Sequence, residues 1–532
     1  MSWIRQLSRF RLGLMTVGLG ATTCLPRLGQ QAGTESSSAA ALGSSAPGIP
    51  GQAPSPATEP TTAASPAEGV TPDARLPEVQ STELPNGFSV HLARQKDCPL
   101  VHLRLVVRSG SVSDAAKPGL ARLTAAEMLA GGAGGMSRGK YRTRVYELGA
   151  RLRAKTTLDA TWFELQTAPE DAVEAISILS ALARSPGLSV ADWSRARQRE
   201  IQLARHRADE GSGQRARDVA RSRLYALPTA VHPYATAEVT VGELEALRFA
   251  DVRRWYRTHV TPKNAMLIVV GDVDLERLKT AAEAAFAELS GTAPVQPSFV
   301  DPVLPSRTAV ELIDRPKASH STVVVGVLAP ALHADSSAAA EIALDLLTDE
   351  ASGRIAERLL EGGWAEQTQT LGRRVAHGPQ PVMVQTRTLT CDTAFAIDAT
   401  LGEFARLSRE PPPNWEVAAA ARQLSTKLWS SAETAEGVAS LLQLQQLGAM
   451  PADYFEQRPR LWRTVTPEDV RVIAELQFAP KHACVAVVGD AARIERALSR
   501  FGPVQVRSWD HPDVVHKRIT HNPSAPLAIP AK

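Results

Sequence analysis

Two stretches of the chain carry the same order of apolar and polar positions. In the first, Asp251-Val252-Arg253 opens a helical pattern. A Pro262-Lys263 break, the apolar run Ala265–Val270 and a Gly271-Asp272 turn follow, and then Leu275, Leu278, Ala282 and Phe286 share one stripe of the helix predicted over Leu275–Leu289. In the second, Asp469-Val470-Arg471, Pro480-Lys481, the run His482–Val488, Gly489-Asp490 and a helical segment Arg493–Phe501 repeat the series. Each matched pair is offset by 218 residues (469−251, 480−262, 489−271), so the pattern predicts a duplicated unit. A strand this uniformly apolar belongs inside its sheet with helices over it. Each copy therefore reads as an α/β layer.

The folded region opens with a turn at Leu84-Pro85-Asn86-Gly87 and a strand through Leu92, followed by a second strand over Val101–Val107. A helix starts near Pro118-Gly119-Leu120-Ala121 and runs to Met128-Leu129, where the glycines of Gly131–Gly135 stop it. With 532 residues the chain exceeds one compact core. Its balance of 59 Lys and Arg against 56 Asp and Glu, net +3, argues against a nucleic-acid partner.

The N-terminus changes the picture. Arg5, Arg9 and Arg11 precede the short apolar run Leu12–Ala21, too brief to span a bilayer but shaped like an export signal. Cys24 follows directly and is a candidate lipidation site, with simple cleavage the alternative because Thr23 precedes it. Beyond it the chain is rich in Ala, Ser, Pro, Thr and Gly and cannot bury enough surface to offset chain entropy. The organisation expected is an export signal over 1–24, a disordered tether over 25–79, two homologous halves over 80–300 and 301–510, and a tail over 511–532. The protein is expected to be exported, to the periplasm or attached to an outer membrane, meeting a membrane only through an N-terminal lipid. Cys484 reads as a core residue, and a Cys98–Cys391 bridge stays open because export places thiols where they can oxidise.

Leu-Pro-Asn-Gly, a strand, Ser109-Gly110-Ser111, Gly119-Leu120-Ala121 with its helix, His232-Pro233-Tyr234 and the duplicated Val-Val-Gly-Asp strand occur in an order that resembles the pitrilysin/insulinase family of zinc metallopeptidases and their mitochondrial-processing-peptidase relatives. The resemblance covers about residues 80–510. It implies α/β layers in two homologous clamshell halves, each of two related α/β domains with a mainly antiparallel sheet flanked by helices. It also implies zinc on the helix after Gly-Leu-Ala, where two histidines four apart share one face and a glutamate beside them takes a proton from bound water.

Here the two histidine positions hold Arg122 and Ala126, the general-base position holds Ala125, and Glu200 falls where the family places its third ligand. No two histidines in the chain are four apart, so no shift of register restores the pair. No zinc or other cofactor is expected, and an Arg122–Glu200 ion pair is the natural replacement. The family's second half holds peptide with an arginine and a tyrosine; the matching positions are Leu359 and Glu366, with Arg354 or Arg358 as substitutes after a shifted turn.

Other features invite sharper readings than they carry. Gly134–Lys140 fits part of a phosphate-binding loop, but Tyr141 stands where Ser or Thr should bind magnesium and no strand precedes it. The arginines from Arg195 to Arg223 read as a solvated helix face. His232 and His320 read as turn residues, and Trp364 and Trp429 as core or interface anchors.

Two functions compete. The first is a non-catalytic homologue, a peptide-binding or scaffolding subunit of an exported protease pair, whose partner is a catalytic insulinase-family subunit or a second copy. Its ligands would be unfolded peptides, gripped by strand addition. An arginine at a former histidine position would make the chamber wall cationic and favour acidic peptides. The alternative is an active metallopeptidase or other hydrolase working through a rearranged site, although Gly211-Ser212-Gly213 is too short for a nucleophile elbow.

Overall fold

The computed structural model describes residues 76–528 except 97, 115, 210, 228–230, 373 and 512–513. The export segment, Cys24 and the tether up to residue 75 lie outside the described residues. The first sheet is built from β1 (Val79–Glu83), β2 (Ser89–Arg94), β3 (Val101–Val107), β4 (Arg153–Thr156), β5 (Thr161–Thr167) and β6 (Ala265–Gly271), in the order β1-β2-β6-β3-β5-β4. The second contains β7 (Ala309–Asp314), β8 (His320–Ala329), β9 (Gln367–Gly372), β10 (Gln380–Leu389), β11 (Cys484–Gly489), β12 (Val504–Ser508) and β13 (Val515–Ile519), in the order β13-β12-β7-β11-β8-β10-β9.

The duplication is visible strand by strand. The run β2-β6-β3-β5-β4 matches β7-β11-β8-β10-β9 in order and direction: β2 with β6 and β7 with β11 are parallel, and the remaining pairs of the run are antiparallel. The apolar strands β6 and β11, buried at every position, lie inside their sheets as expected. The 218-residue offset is local to that segment. Register pairs Val106 with Met266 and Gly326 with Cys484, which makes β3 and β8 differ by 220 (326−106).

Two mainly antiparallel α/β units with flanking helices agree with the sequence reading, and three details differ. Each repeat holds one sheet where the resemblance implied a pair of domains. Val515–Ile519, inside the expected tail, hydrogen-bonds to β12 as an edge strand. The repeats are also interlocked, which no local pattern announced.

Each sheet has one face covered by helices of its own repeat and the other by a helix of the opposite repeat. Helix Ser212–Leu224 turns Ala216, Ala220 and Leu224, one stripe at a four-residue spacing, onto Val324, Leu328, Met383 and Val488 of the second sheet. Helix Ala435–Leu447 places Ala435, Val438, Ala439 and Leu442 against Val106, Trp162, Met266 and Ile268 of the first. The two helices hold corresponding places, each following a long helix, Val190–Asp209 or Asn414–Ala432.

Gly326 makes the second contact close: a β-carbon there would stand 2.9 Å from Leu224 Cδ1. A latch of polar groups adds to this. Tyr234 Oη donates to Asp159 Oδ1 at 2.5 Å, while the backbone amides of Ala376 and His377 donate to Asp159 Oδ2 and Tyr234 Oη, each at 3.0 Å. Gly326→Val should therefore lower stability by about 1–3 kcal/mol through overpacking against Leu224. Gly372→Ala, facing open space in the same sheet, should be near neutral. Urea denaturation of both variants checks this, and equal effects would contradict it.

Candidate functional site

Helix Leu120–Ala130 begins at Gly119, whose φ of 87° is left-handed and suits glycine. The buried Asp114 carboxylate accepts from the backbone amides of Gly119 at 2.8 Å and Ala121 at 2.7 Å, satisfying first-turn donors. Burial pushes Asp114 up to about 7 in spite of those bonds. Arg122 and Ala126 share one helical face at a four-residue spacing, while Ala125 is turned into the core. Helix Val190–Asp209 packs alongside and brings in Glu200. Glu200 is buried, which raises its pKa, and Arg122, Arg207 and Arg199 oppose the rise.

The ion pair expected between Arg122 and Glu200 is replaced by another. Arg122 Nη1 donates to Glu238 Oε1 at 2.8 Å, and Arg207 Nε lies 3.2 Å from the same oxygen. One carboxylate thus bridges two guanidinium groups from neighbouring helices. The backbone amide of Glu238 donates to Asp218 Oδ2 at 3.1 Å, and Asp218 in turn pairs with Arg221. Glu238 lies in the irregular segment before helix Val241–Ala246, and nothing in the sequence marked it.

The family's zinc does not fit these residues. Arg122 offers only donors and a positive charge, the two alanines offer nothing, and Glu200 is a single carboxylate among arginines. Among the described residues no group of three or more His, Cys, Asp and Glu side chains is placed to hold a metal ion. Glu238 offsets part of the positive charge that Arg122 and Arg207 bring to this wall.

In the second repeat Leu359 is fully buried in its core, so it cannot face a peptide, while its neighbour Leu360 is exposed. Glu366 accepts from His320 Nε2 at 2.9 Å and Arg387 Nε at 3.1 Å. Arg354 donates through Nε to Glu416 at 3.1 Å, and Arg358 lies over the Trp364 ring. Trp364 also stacks on Phe395 and packs against the core.

The arginine run is not a uniformly solvated face. Arg215 stacks on Trp509 at 3.9 Å, Arg217 donates to Gln385, and Arg223 approaches Glu311 at 3.6 Å, all contacts with the second repeat. His232 accepts from the Tyr234 amide as a helix cap, and Ser137 caps the helix after Gly134 and Gly135. Cys98, Cys391 and Cys484 are free thiols, so the Cys98–Cys391 bridge is absent.

The two repeated, helix-covered sheets define a duplicated α/β class, and comparison makes it specific. Residues 90–230 match the family model for insulinase (peptidase family M16), and residues 246–424 match the model described as the peptidase M16 inactive domain. The chain belongs to the insulinase family.

A solved peptidase M16 inactive domain from Pseudomonas fluorescens aligns with TM-score 0.70 and 19% identity, over 77% of this chain and 98% of that one. A protease from Helicobacter pylori aligns with TM-score 0.70 and 16% identity, over 78% and 100%. The first half of the periplasmic protease PqqL from Escherichia coli gives 0.61 and 15%, over 78% and 93%. At these identities the likeness is one of fold. No curated protein matches the chain.

One carboxylate on the same helix gives the site a testable signature. Glu127 is fully buried, and burial together with the nearby Asp192 pushes it up to about 8 against the backbone amide of Ser189, which favours the carboxylate. Its proton is held more tightly in the folded chain than in the unfolded one. That contribution to stability is complete below the ordinary value of 4.5 and is lost as pH rises toward 8. Glu127→Gln should gain about 1–3 kcal/mol at pH 8 and little at pH 4.5. Denaturant titrations at the two pH values check this, and equal effects would contradict it.

Proposed function

We propose that the protein is a non-catalytic insulinase-family subunit that binds unfolded peptides or scaffolds a protease pair. The observation that carries this reading is the Arg122–Glu238–Arg207 cluster, which puts guanidinium groups where the family's chemistry needs neutral imidazoles and a metal. The end strands β4 and β9 supply the physical basis for peptide binding, since each terminates its sheet and can accept an added strand through backbone groups alone.

Interlocking supports the need for a partner. Each helix exchanged between repeats ties one sheet to the other, so a chamber that opens and closes requires a second two-sheet unit. That unit would be a catalytic insulinase-family subunit or a second copy of this chain. The alignment with one half of PqqL, itself described as periplasmic, is consistent with this role and with export. Location in the periplasm or at the outer membrane follows from the Arg-flanked apolar run at the N-terminus, with attachment through Cys24 if it is lipidated. No helix among the described residues is long and apolar enough to cross a membrane.

The test is elemental analysis of the purified chain together with an unfolded-peptide cleavage assay, with and without chelator. The expected result is zinc far below stoichiometric and no chelator-sensitive cleavage by this chain alone. Stoichiometric zinc with such cleavage would establish the alternative of an active metallopeptidase with a rearranged site.

A further inference from the structure

A cavity of about 820 Å³ opens where the start of helix Ser212–Leu224 meets the β7–β8 turn and strands β9 and β10. Five cationic side chains line it: Arg207, Arg217, Arg315, Lys317 and Arg387. Its other polar lining is neutral, from Gln214, Gln367 and Gln385 and the hydroxyls of Ser212, Ser319 and Thr322, with His320 on one side. No carboxylate lines it among the described residues. Two carboxylates outside the lining pair with residues in it, Glu238 with Arg207 and Glu366 with Arg387 and His320.

Arg315 is held by neutral groups: its Nη1 donates to Ser212 Oγ at 2.9 Å and its guanidinium lies 5.2 Å from the Trp509 ring centre. Arg217 donates to the amide oxygens of Gln385 at 2.5 Å and Gln214 at 2.7 Å. The bond to Ser212 fixes the direction of the Arg315 guanidinium without cancelling its charge. Lys317 sits at the turn with φ 63°, a left-handed conformation that an L side chain adopts at a cost, and the residue lines the cavity.

We infer that this cleft binds an acidic segment of an unfolded polypeptide, its carboxylates meeting Arg315, Lys317 and Arg387. Charge complementarity fixes the sign of the ligand. The glutamine amides, together with Gln367 at the start of the end strand β9, favour a peptide, because its backbone can bond to both while its carboxylates meet the cations. The inference rests on the peptide-binding reading and names its ligand class. It also moves the source of acidic selectivity from Arg122 to a cleft mainly on the second repeat.

The experiment uses the mature chain and two dye-labelled unfolded peptides of equal length, one rich in Asp and Glu and one with Asn and Gln in their place, followed by fluorescence polarisation. The acidic peptide should bind at least about tenfold tighter than the neutral one, an advantage that shrinks as salt rises. Arg387→Glu should remove most of that advantage and leave the neutral peptide unchanged. Lys317→Gly suits the left-handed backbone without strain, so the fold is retained. It should weaken acidic-peptide binding severalfold.

Equal binding of both peptides, unmoved by either substitution, overturns the cleft assignment while peptide binding itself survives. Absence of binding by either peptide overturns both. Tighter binding of tripolyphosphate or single-stranded RNA, sensitive to the same substitutions, overturns the peptide assignment in favour of phosphate.

Discussion

The structure depends on the exchange of two helices between two sheets. Neither repeat covers both faces of its own sheet; Ser212–Leu224 closes the second and Ala435–Leu447 closes the first. Burying one Leu, Val or Met side chain is worth about 1.5–3 kcal/mol. Lifting either helix exposes its own apolar stripe and the strand residues beneath it together, a cost on the order of 5–10 kcal/mol, comparable to the whole stability of an ordinary domain. Polar contacts reinforce each side. Arg104 of β3 donates to Gln443 Oε1 at 3.0 Å, and Glu311 of β7 receives Arg507 at 2.8 Å with Arg223 at 3.6 Å. The repeats therefore behave as one body.

That body decides what the site can be. The helix bearing Arg122 and the helix bearing Glu200 lie side by side, and the positions matched to the family's metal ligands hold an arginine, an alanine and one glutamate. Arg122 and Arg207 converge on Glu238 beside that helix pair. The same exchange carries Arg215, Arg217 and Arg223 across to the second repeat, onto Trp509, Gln385 and Glu311. Arg217 of that helix meets Arg315 and Lys317 of the β7–β8 turn in the lining of one cleft.

Much of the fold was legible in the sequence because buried strands leave an unambiguous trace. Val101–Val107 was read at its observed bounds and Ala265–Val270 within one residue of its end, and the stripe Leu278, Ala282, Phe286 faces the core. Edge strands were harder. β4 and β9 are short and half-exposed, and β13 has three exposed polar residues, His516, Lys517 and Arg518, in a row. The helix exchange was invisible, since a helix with an apolar stripe carries no label for the sheet it covers. The substituted residues at the former zinc positions were read directly, but Arg122 chose Glu238 over Glu200 through a backbone path that spacing does not encode. Leu359 fell on the buried side of its helix, where a shift of one residue separates core from surface.

Native-state hydrogen exchange, resolved peptide by peptide, tests the interlocked body most directly. The amides of β6 and β11, one at the centre of each sheet, should open together, with the same free energy and the same dependence on denaturant. If one strand exchanges through an opening of clearly lower free energy while the other stays protected, the repeats are separable domains and the account fails.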